Sequence, residues 1–287
     1  MSFDLNAKLF RMAQIKKEKP AYRSLIDFYE KIYIEKDWCS KSLKLHFSDP
    51  DENYIHLKIK RGFPILDKNT VQFNVEALEG FFQKLLLLSQ KMSPDTATKL
   101  AKYIQQGNLD LRKTIIELWK NGRLDISNYE KEEIGDLSLL SFLLIECIKP
   151  VYEYLSQKLK RFIKEELWKW GYCPICGENP PIAEISTEKR GKILFCIQCG
   201  TDWHFPLLRC PFCGYEEEEG IKCFYVENEK QYRIEVCKSC KKYIKVIDVQ
   251  VIGFKVPLDV ENIVTLHLDI LAQKKGYRRG GAFHLII

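Results

Sequence analysis

The sequence predicts an α+β protein in which a helical N-terminal domain is followed by two metal modules and a C-terminal helix. Apolar residues recur at three- and four-residue spacing in the first half of the chain, which is typical of helices with one buried face. Eight of the eleven cysteines then fall within 68 residues, always as Cys-x-x-Cys couples. Two such couples can surround one tetrahedral metal ion. We therefore expect a helical domain at 1–170, four-cysteine rubredoxin-like modules at 171–208 and 209–256, and a C-terminal helix with a basic tail at 257–287.

The composition is that of a soluble globular protein, with 46% hydrophobic and 29% charged residues. The first residues carry early charges and no apolar run, so we expect no secretory signal. The most apolar stretch, residues 137–148, is shorter than the roughly 20 residues of a transmembrane helix, and no membrane insertion is expected. Paired thiols without an export signal indicate a reducing compartment, where metal ligation is favoured over disulfides. The net charge of +6 is too mild to indicate a nucleic-acid partner.

Helix signals divide the first half of the chain. Asn74 precedes one apolar-periodic stretch as an N-cap, and Ser93-Pro94 opens another, because proline is tolerated in a first turn. Pro150 lies inside a long helical pattern and predicts a kink or break, since proline removes a backbone hydrogen bond. The predicted helices cover 3–19, 22–36, 75–91, a stretch opening at Ser93, and 136–170.

The second half repeats one pattern: a Cys-x-x-Cys knuckle, a hairpin, then another knuckle. The hairpins are predicted at 182–186 with 192–195 and at 221–226 with 232–236, each with a polar turn. A strand-like stretch at 243–251 follows. Asp259 is expected to cap a last helix that ends near Gly276.

Sequential pairing of the couples gives each metal site a hairpin of its own. The couples within a pair are separated by 19 and 23 residues, enough for a returning hairpin, whereas pairing the two middle couples leaves only 10. Four thiolates suit zinc and mononuclear iron of the rubredoxin type equally, so spacing leaves the metal open. The lone Cys39, Cys147 and Cys223 are expected in the core. The predicted ligands are Cys173, Cys176, Cys196 and Cys199 in the first site, and Cys210, Cys213, Cys237 and Cys240 in the second.

Two polar stretches lie outside the predicted ligands. Trp203 and His204, with Arg209, join the two modules, where a tryptophan is most often a hydrophobic plug. Arg278 and Arg279 form a basic loop whose default role is to end a helix with favourable cations. Either stretch could be a recognition surface. Because no catalytic set of residues stands out, we do not expect an enzyme.

Several separated segments of the second half together form a recognisable pattern. They are Cys196-Ile197-Gln198-Cys199-Gly200-Thr201-Asp202-Trp203-His204, Arg209-Cys210-Pro211-Phe212-Cys213, Cys237-Lys238-Ser239-Cys240-Lys241-Lys242-Tyr243-Ile244-Lys245, and the stretch from Leu258-Asp259 through Thr265-Leu266-His267-Leu268-Asp269 to Gly276-Tyr277-Arg278-Arg279-Gly280-Gly281. Together these segments resemble the FdhE family, the accessory proteins required for active formate dehydrogenase. The similarity covers most of residues 171–284, with a fainter echo at 62–66.

The resemblance implies two rubredoxin-like modules, iron at the paired cysteines, and a cytoplasmic role in maturation. The implied partner is the catalytic subunit of a molybdenum- or tungsten-containing formate dehydrogenase. By the same resemblance, Trp203, His204, Arg209, Arg278 and Arg279 become candidates for contact with that partner. Two other functions remain open from the sequence: a rubredoxin-like iron protein that transfers electrons or senses oxygen, and a zinc-ribbon nucleic-acid binder.

Overall fold

The computed structural model describes residues 4–122, 137–163, 167–185, 191–217 and 220–281. These residues fall into two compact units. Unit 1 contains residues 4–23 and 50–66 together with the described residues after 154, and unit 2 contains 24–49 and the described residues of 67–154. The predicted α+β class, with a helical N-terminal region and two four-cysteine groups in the C-terminal half, is confirmed. The division into four segments stays a prediction.

Helices dominate the first part of the chain and strands the second. Within the described ranges, no helix combines the length and the apolar character that a membrane crossing requires. The helices are α1 (Leu5–Glu18), α2 (Arg23–Ser42), α3 (Glu52–Lys60), α4 (Val75–Ser89), α5 (Pro94–Gln105), α6 (Leu111–Asn121), α7 (Leu137–Leu159), α8 (Val249–Ile252), α9 (Leu258–Val264) and α10 (Leu266–Lys274). The strands are β1 (Leu45–Phe47), β2 (Val71–Phe73), β3 (Ile182–Ile185), β4 (Lys192–Phe195), β5 (Asp202–Phe205), β6 (Ile221–Tyr225), β7 (Tyr232–Cys237), β8 (Lys242–Asp248) and β9 (Arg278–Arg279).

Unit 2 is built from helices and the short antiparallel pair of β1 and β2. Local signals define its helix ends: the Asp110 carboxylate accepts a hydrogen bond from the Lys113 amide at 2.9 Å, and Gly122 ends α6 in the left-handed conformation. Apolar side chains from α4 and α7 make its core. Leu78, Phe82 and Leu140 are fully buried.

Pro150 does not end α7, so of the expected kink or break the break is wrong. The helix continues to Leu159 because its apolar face is packed on both sides of the proline, with Ile148 and Val151 buried. Burial of such a face outweighs one lost backbone hydrogen bond. The helix then ends eleven residues before the predicted position of 170.

Unit 1 contains a seven-stranded sheet that takes strands from both cysteine modules. The two predicted hairpins are confirmed as β3 with β4 and β6 with β7, although Ser186 and the turn at 187–190 lie outside the described residues. β3 then pairs in parallel with β8, with Ile182 opposite Lys245. The strand order is β5-β4-β3-β8-β7-β6, and β9 adds a short parallel pairing to β8. The modules therefore share one sheet.

The predicted boundaries of β8 and of the C-terminal helix are also wrong. β8 stops at Asp248 instead of continuing to 251, because the Asp248 carboxylate accepts hydrogen bonds from the amides of Gln250 and Val251 and starts α8. The C-terminal helix is divided into α9 and α10 at Thr265, whose hydroxyl donates to the Glu261 carbonyl. α9 begins at Leu258, so Asp259 is a first-turn residue and not the cap.

A buried polar network fixes β9 against the C-terminal helices. Lys245 and Asp269 are fully buried, and the Lys245 ammonium donates to the Asp269 carboxylate at 2.8 Å. Tyr243 donates to the same carboxylate, and the Arg279 guanidinium lies 3.1 Å from it. Burial lowers the pKa of Lys245 to about 7. The lower pKa reduces the energetic cost of burying Lys245 and Arg279 together beside the single carboxylate of Asp269. The network ties β8, β9 and α10 together.

Close packing also explains the two glycines that follow β9. A side chain at Gly280 would overlap the Phe212 ring of the third knuckle. A side chain at Gly281 would lie 2.6 Å from the Pro181 nitrogen, beyond the first knuckle. One Gly-Gly pair therefore lets the chain pass against both modules.

We expect Gly280→Ala to lower the free energy of unfolding by about 1–3 kcal/mol, because the added methyl overpacks the Phe212 contact. The matched control is Gly80→Ala in α4, where no atom lies within 4 Å of the new methyl. That change should stabilise its helix by about 0.5–1 kcal/mol. Denaturant unfolding of the metal-loaded protein measures both, and equal effects of the two substitutions would contradict the packing argument.

Candidate metal centres

Eight cysteines form two groups of four in which the sulfur atoms all lie within 4.8 Å of one another. In the first centre, the Cys173 and Cys199 sulfurs are 3.5 Å apart, as are those of Cys176 and Cys196. The second centre gathers Cys210, Cys213, Cys237 and Cys240. The grouping follows the predicted sequential pairing, and each group offers the four soft donors that a tetrahedral metal requires.

The four knuckles share one backbone geometry. In each, the amide that follows the Cys-x-x-Cys couple donates to the carbonyl of the first cysteine, at 2.9–3.1 Å. That following residue has a positive φ in every knuckle: 83° at Gly177, 72° at Gly200, 76° at Gly214 and 58° at Lys241. Glycine adopts this left-handed backbone freely, whereas a lysine does so at a cost. The fourth knuckle is therefore the strained one.

The thiol pKa values diverge within each centre: those of Cys196, Cys210 and Cys240 are raised by burial, whereas one cysteine in each centre has a lowered pKa. Burial raises the pKa of Cys199, but hydrogen bonds from the neighbouring thiols and from Thr201 hold it well below the usual thiol range. Burial also raises the pKa of Cys213, yet hydrogen bonds from the Tyr215 amide and the neighbouring thiols bring it to about 7. Each centre thus favours a thiolate. Four sulfurs fit zinc or iron, and such an ion would supply the cohesion that a module of this size lacks.

The centres differ in exposure. Cys173 and Cys196 are fully buried, Cys199 is 2% exposed and Cys176 is half-buried. In the second centre Cys213 is exposed to solvent and Cys240 is half-buried. A small molecule can therefore approach the second centre at Cys213, whereas no cysteine of the first centre is exposed.

A segment far upstream supports the first centre. The amides of Ile65 and Leu66 donate to the carbonyls of Pro174 and Ile175 inside the first knuckle, at 2.9 and 3.0 Å. The Tyr172 hydroxyl donates to the Gly62 carbonyl at 2.5 Å. These supporting residues were not predicted as part of the site. The one signal for them in the sequence is the faint resemblance at 62–66.

The residues predicted between the modules lie on or just after β5. Trp203 is buried, and its ring nitrogen donates to the Trp170 carbonyl at 3.2 Å, as a hydrophobic plug would. His204 is half-buried. The Arg209 guanidinium lies 3.9 Å from the Glu216 carboxylate, and its side chain is one third exposed.

The predicted arginines of β9 differ in exposure. Arg278 is exposed, whereas the Arg279 side chain is 6% exposed and donates to Asn262 at 2.9 Å. Among the lone cysteines, Cys39 and Cys147 are buried as expected. Cys223 is exposed on the edge strand β6, so the core position expected for it is wrong.

The sequence of this chain is similar to those of known proteins. A family model described as FdhE, C-terminal domain, matches residues 208–286. The protein FdhE homolog of Aquifex aeolicus is 28% identical over 274 residues, which is 94% of this chain and 90% of that protein. The chain is thus similar to FdhE proteins over most of its length. Its match to the FdhE homolog of Shewanella oneidensis is 32% identical but spans 42% of this chain and 39% of the relative.

A solved structure has the same fold. The crystal structure of the FdhE protein from Pseudomonas aeruginosa aligns with a TM-score of 0.67 at 16% sequence identity, over 100% of this chain and 97% of that chain. The FdhE C-terminal match contains the whole second centre together with β9.

Removing the backbone strain of the fourth knuckle should stabilise the protein. We expect Lys241→Gly to raise the free energy of unfolding by about 0.5–1 kcal/mol, since glycine relieves left-handed strain but costs more chain entropy. Gly200→Ala, where no atom lies within 4 Å of the new methyl, should lower it by about 1 kcal/mol. Thermal unfolding at fixed metal concentration measures both. A stabilising Gly200→Ala would contradict the strain argument.

Metal release should occur in two phases. A chromogenic chelator should take the ion of the second centre at least about tenfold faster, because release from the first centre needs local opening that costs more than about 1.4 kcal/mol. Cys213→Ser should abolish the fast phase and Cys176→Ser the slow phase, because each removes one of the four ligands of its centre. A single phase, or a fast phase that responds to Cys176→Ser, would show that exposure does not control release.

Proposed function

We propose that this protein is a cytoplasmic accessory protein that binds the catalytic subunit of a molybdenum or tungsten formate dehydrogenase during maturation. The observation that supports it most is the FdhE C-terminal match, because resemblance to that family implies a formate dehydrogenase accessory role. We propose no catalytic role for the chain itself. The eight cysteines would hold two ions and make a rigid platform for the client.

The proposed client surface lies beside the second centre. We call it the basic edge, defined as Lys241, Lys242 and Arg278. The Arg278 amide donates to the Lys241 carbonyl at 2.9 Å, and Arg278 is opposite Lys242 in the β8–β9 register. Lys241 and Arg278 are exposed. Three cations so placed favour carboxylate-rich surfaces on the client.

The remaining predicted contact residues differ in burial, so some could touch the client and others could only support the surface. Arg279 would act from inside, since its contacts with Asn262 and Asp269 hold β9 in place under Arg278. Trp203 would act as a buried support of β5. His204 and Arg209 are accessible enough to touch a client directly.

Electron transfer is a second candidate function. The observation that favours it is the exposed Cys213, because an iron bound there would lie close to any docked redox partner. Iron held by four thiolates gives a visible thiolate-to-iron absorption band that zinc lacks. Protein purified with full zinc occupancy and no such band would exclude this candidate.

The basic edge can be tested by affinity capture from a host that makes formate dehydrogenase. We expect wild-type chain to retain the catalytic subunit and Arg278→Glu to retain at least about tenfold less, because like charges across an interface cost several kcal/mol. The matched control is Lys99→Glu, an exposed lysine of α5 with the same charge change.

The outcomes separate the surface from the function. Equal recovery with Arg278→Glu and Lys99→Glu would overturn the basic edge. Failure of the wild-type chain to retain the subunit, together with unchanged formate dehydrogenase activity in a host without this protein, would overturn the accessory role.

A further inference from the structure

Two buried hydroxyls lead to one sulfur of the first centre. The Thr201 hydroxyl oxygen lies 3.0 Å from the Cys199 sulfur, and the Ser156 hydroxyl oxygen lies 2.8 Å from that of Thr201. Thr201 is 1% exposed and Ser156 is 4% exposed, so water does not compete for either group. Both residues belong to unit 1.

The fold positions both hydroxyls for this contact. The Cys196 amide donates to the Thr201 carbonyl at 2.9 Å, which closes the second knuckle and sets Thr201 beside the sulfurs. Lys160, the residue after α7, forms an ion pair with Asp202 at the start of β5. This ion pair holds the end of α7, which carries Ser156, next to Thr201. Ser89 and Ser141, two other helix serines, donate to the carbonyl four residues back, whereas the Ser156 hydroxyl is aimed at Thr201.

A bound metal fixes the direction of these hydrogen bonds. A metal-bound cysteine sulfur is a thiolate without a proton, so it can only accept. Thr201 must then donate to Cys199, and its oxygen is left to accept from Ser156. We propose that Ser156 and Thr201 form a hydroxyl relay that donates to the Cys199 thiolate and makes the first centre electronically different from the second.

The second centre has a different neighbour at the matching position. Thr201 is the second residue after its Cys-x-x-Cys couple, and the second residue after Cys240 is Lys242. The ammonium of Lys242 lies over the Phe212 ring, 5.7 Å from its centroid. The Phe212 backbone amide donates to the Cys210 sulfur at 3.4 Å. Among the residues that the structure describes, the hydroxyl relay therefore belongs to the first centre, and the second centre has a lysine at the matching position.

The relay changes what the metal experiences. A hydrogen bond to a thiolate withdraws electron density from sulfur, so the sulfur donates less to the ion. With zinc or cadmium the change alters the shielding of the metal nucleus. With iron it raises the reduction potential, one of the recognised effects of hydrogen bonds to cluster sulfurs. Thr201 and Ser156 are thus positioning residues that tune one centre.

The test uses the full chain loaded with cadmium and read by cadmium NMR, where each four-cysteine centre gives its own resonance. We expect Thr201→Val, which removes the hydroxyl and keeps the shape, to shift one resonance and leave the other in place. Thr201→Ser should restore the wild-type position. Ser156→Ala should move the same resonance in the same direction by less, because Ser156 polarises Thr201 without touching sulfur.

Lys242→Val is the matched control at the second centre, and it should leave the resonance that responds to Thr201→Val unchanged. A second measurement uses iron-loaded protein, in which Thr201→Val should move one midpoint potential to a more negative value. Three results would overturn the relay. Thr201→Val could shift neither resonance, or shift both by the same amount. Thr201→Ser could fail to restore the wild-type position, or Ser156→Ala could have no effect. Should Thr201→Val lose metal altogether, Ser156→Ala decides the question alone.

Discussion

The C-terminal half of the chain depends on one constraint. In each of two groups, four cysteine sulfurs must lie within 4.8 Å of one another. Thiolates so close repel one another unless a cation neutralises them, and buried thiolates without a cation are costly. The shared sheet adds a second requirement, since β3 of one module pairs with β8 beyond the other. Strands that follow both centres therefore belong to one sheet.

The sequence predicted what local chemistry controls. Cysteine spacing identified both centres and their grouping, and alternation with polar turns identified both hairpins. The β3–β8 pairing could not be predicted, because a parallel pairing between distant strands leaves no local signal. The support of the first knuckle by Ile65 and Leu66 is equally non-local. The continuity of α7 through Pro150 depended on packing that a proline rule cannot include.

The two centres share ligands and backbone but have different surroundings. The first has no exposed cysteine, accepts backbone hydrogen bonds from the segment at 62–66 and is contacted by the Thr201 hydroxyl. The second is open at Cys213, has strain at Lys241 and adjoins the exposed Arg278. A structural role suits the first centre and an interaction role suits the second. Of the two centres, the FdhE C-terminal match contains the second.

Counting bound ions by native mass spectrometry tests the central claim most directly. The account predicts two ions on the wild-type chain, one after Cys173→Ser and one after Cys210→Ser, because each group of four sulfurs forms an independent site. A wild-type chain that holds fewer than two ions after purification and zinc reconstitution would contradict it. So would a chain that keeps both ions after either substitution.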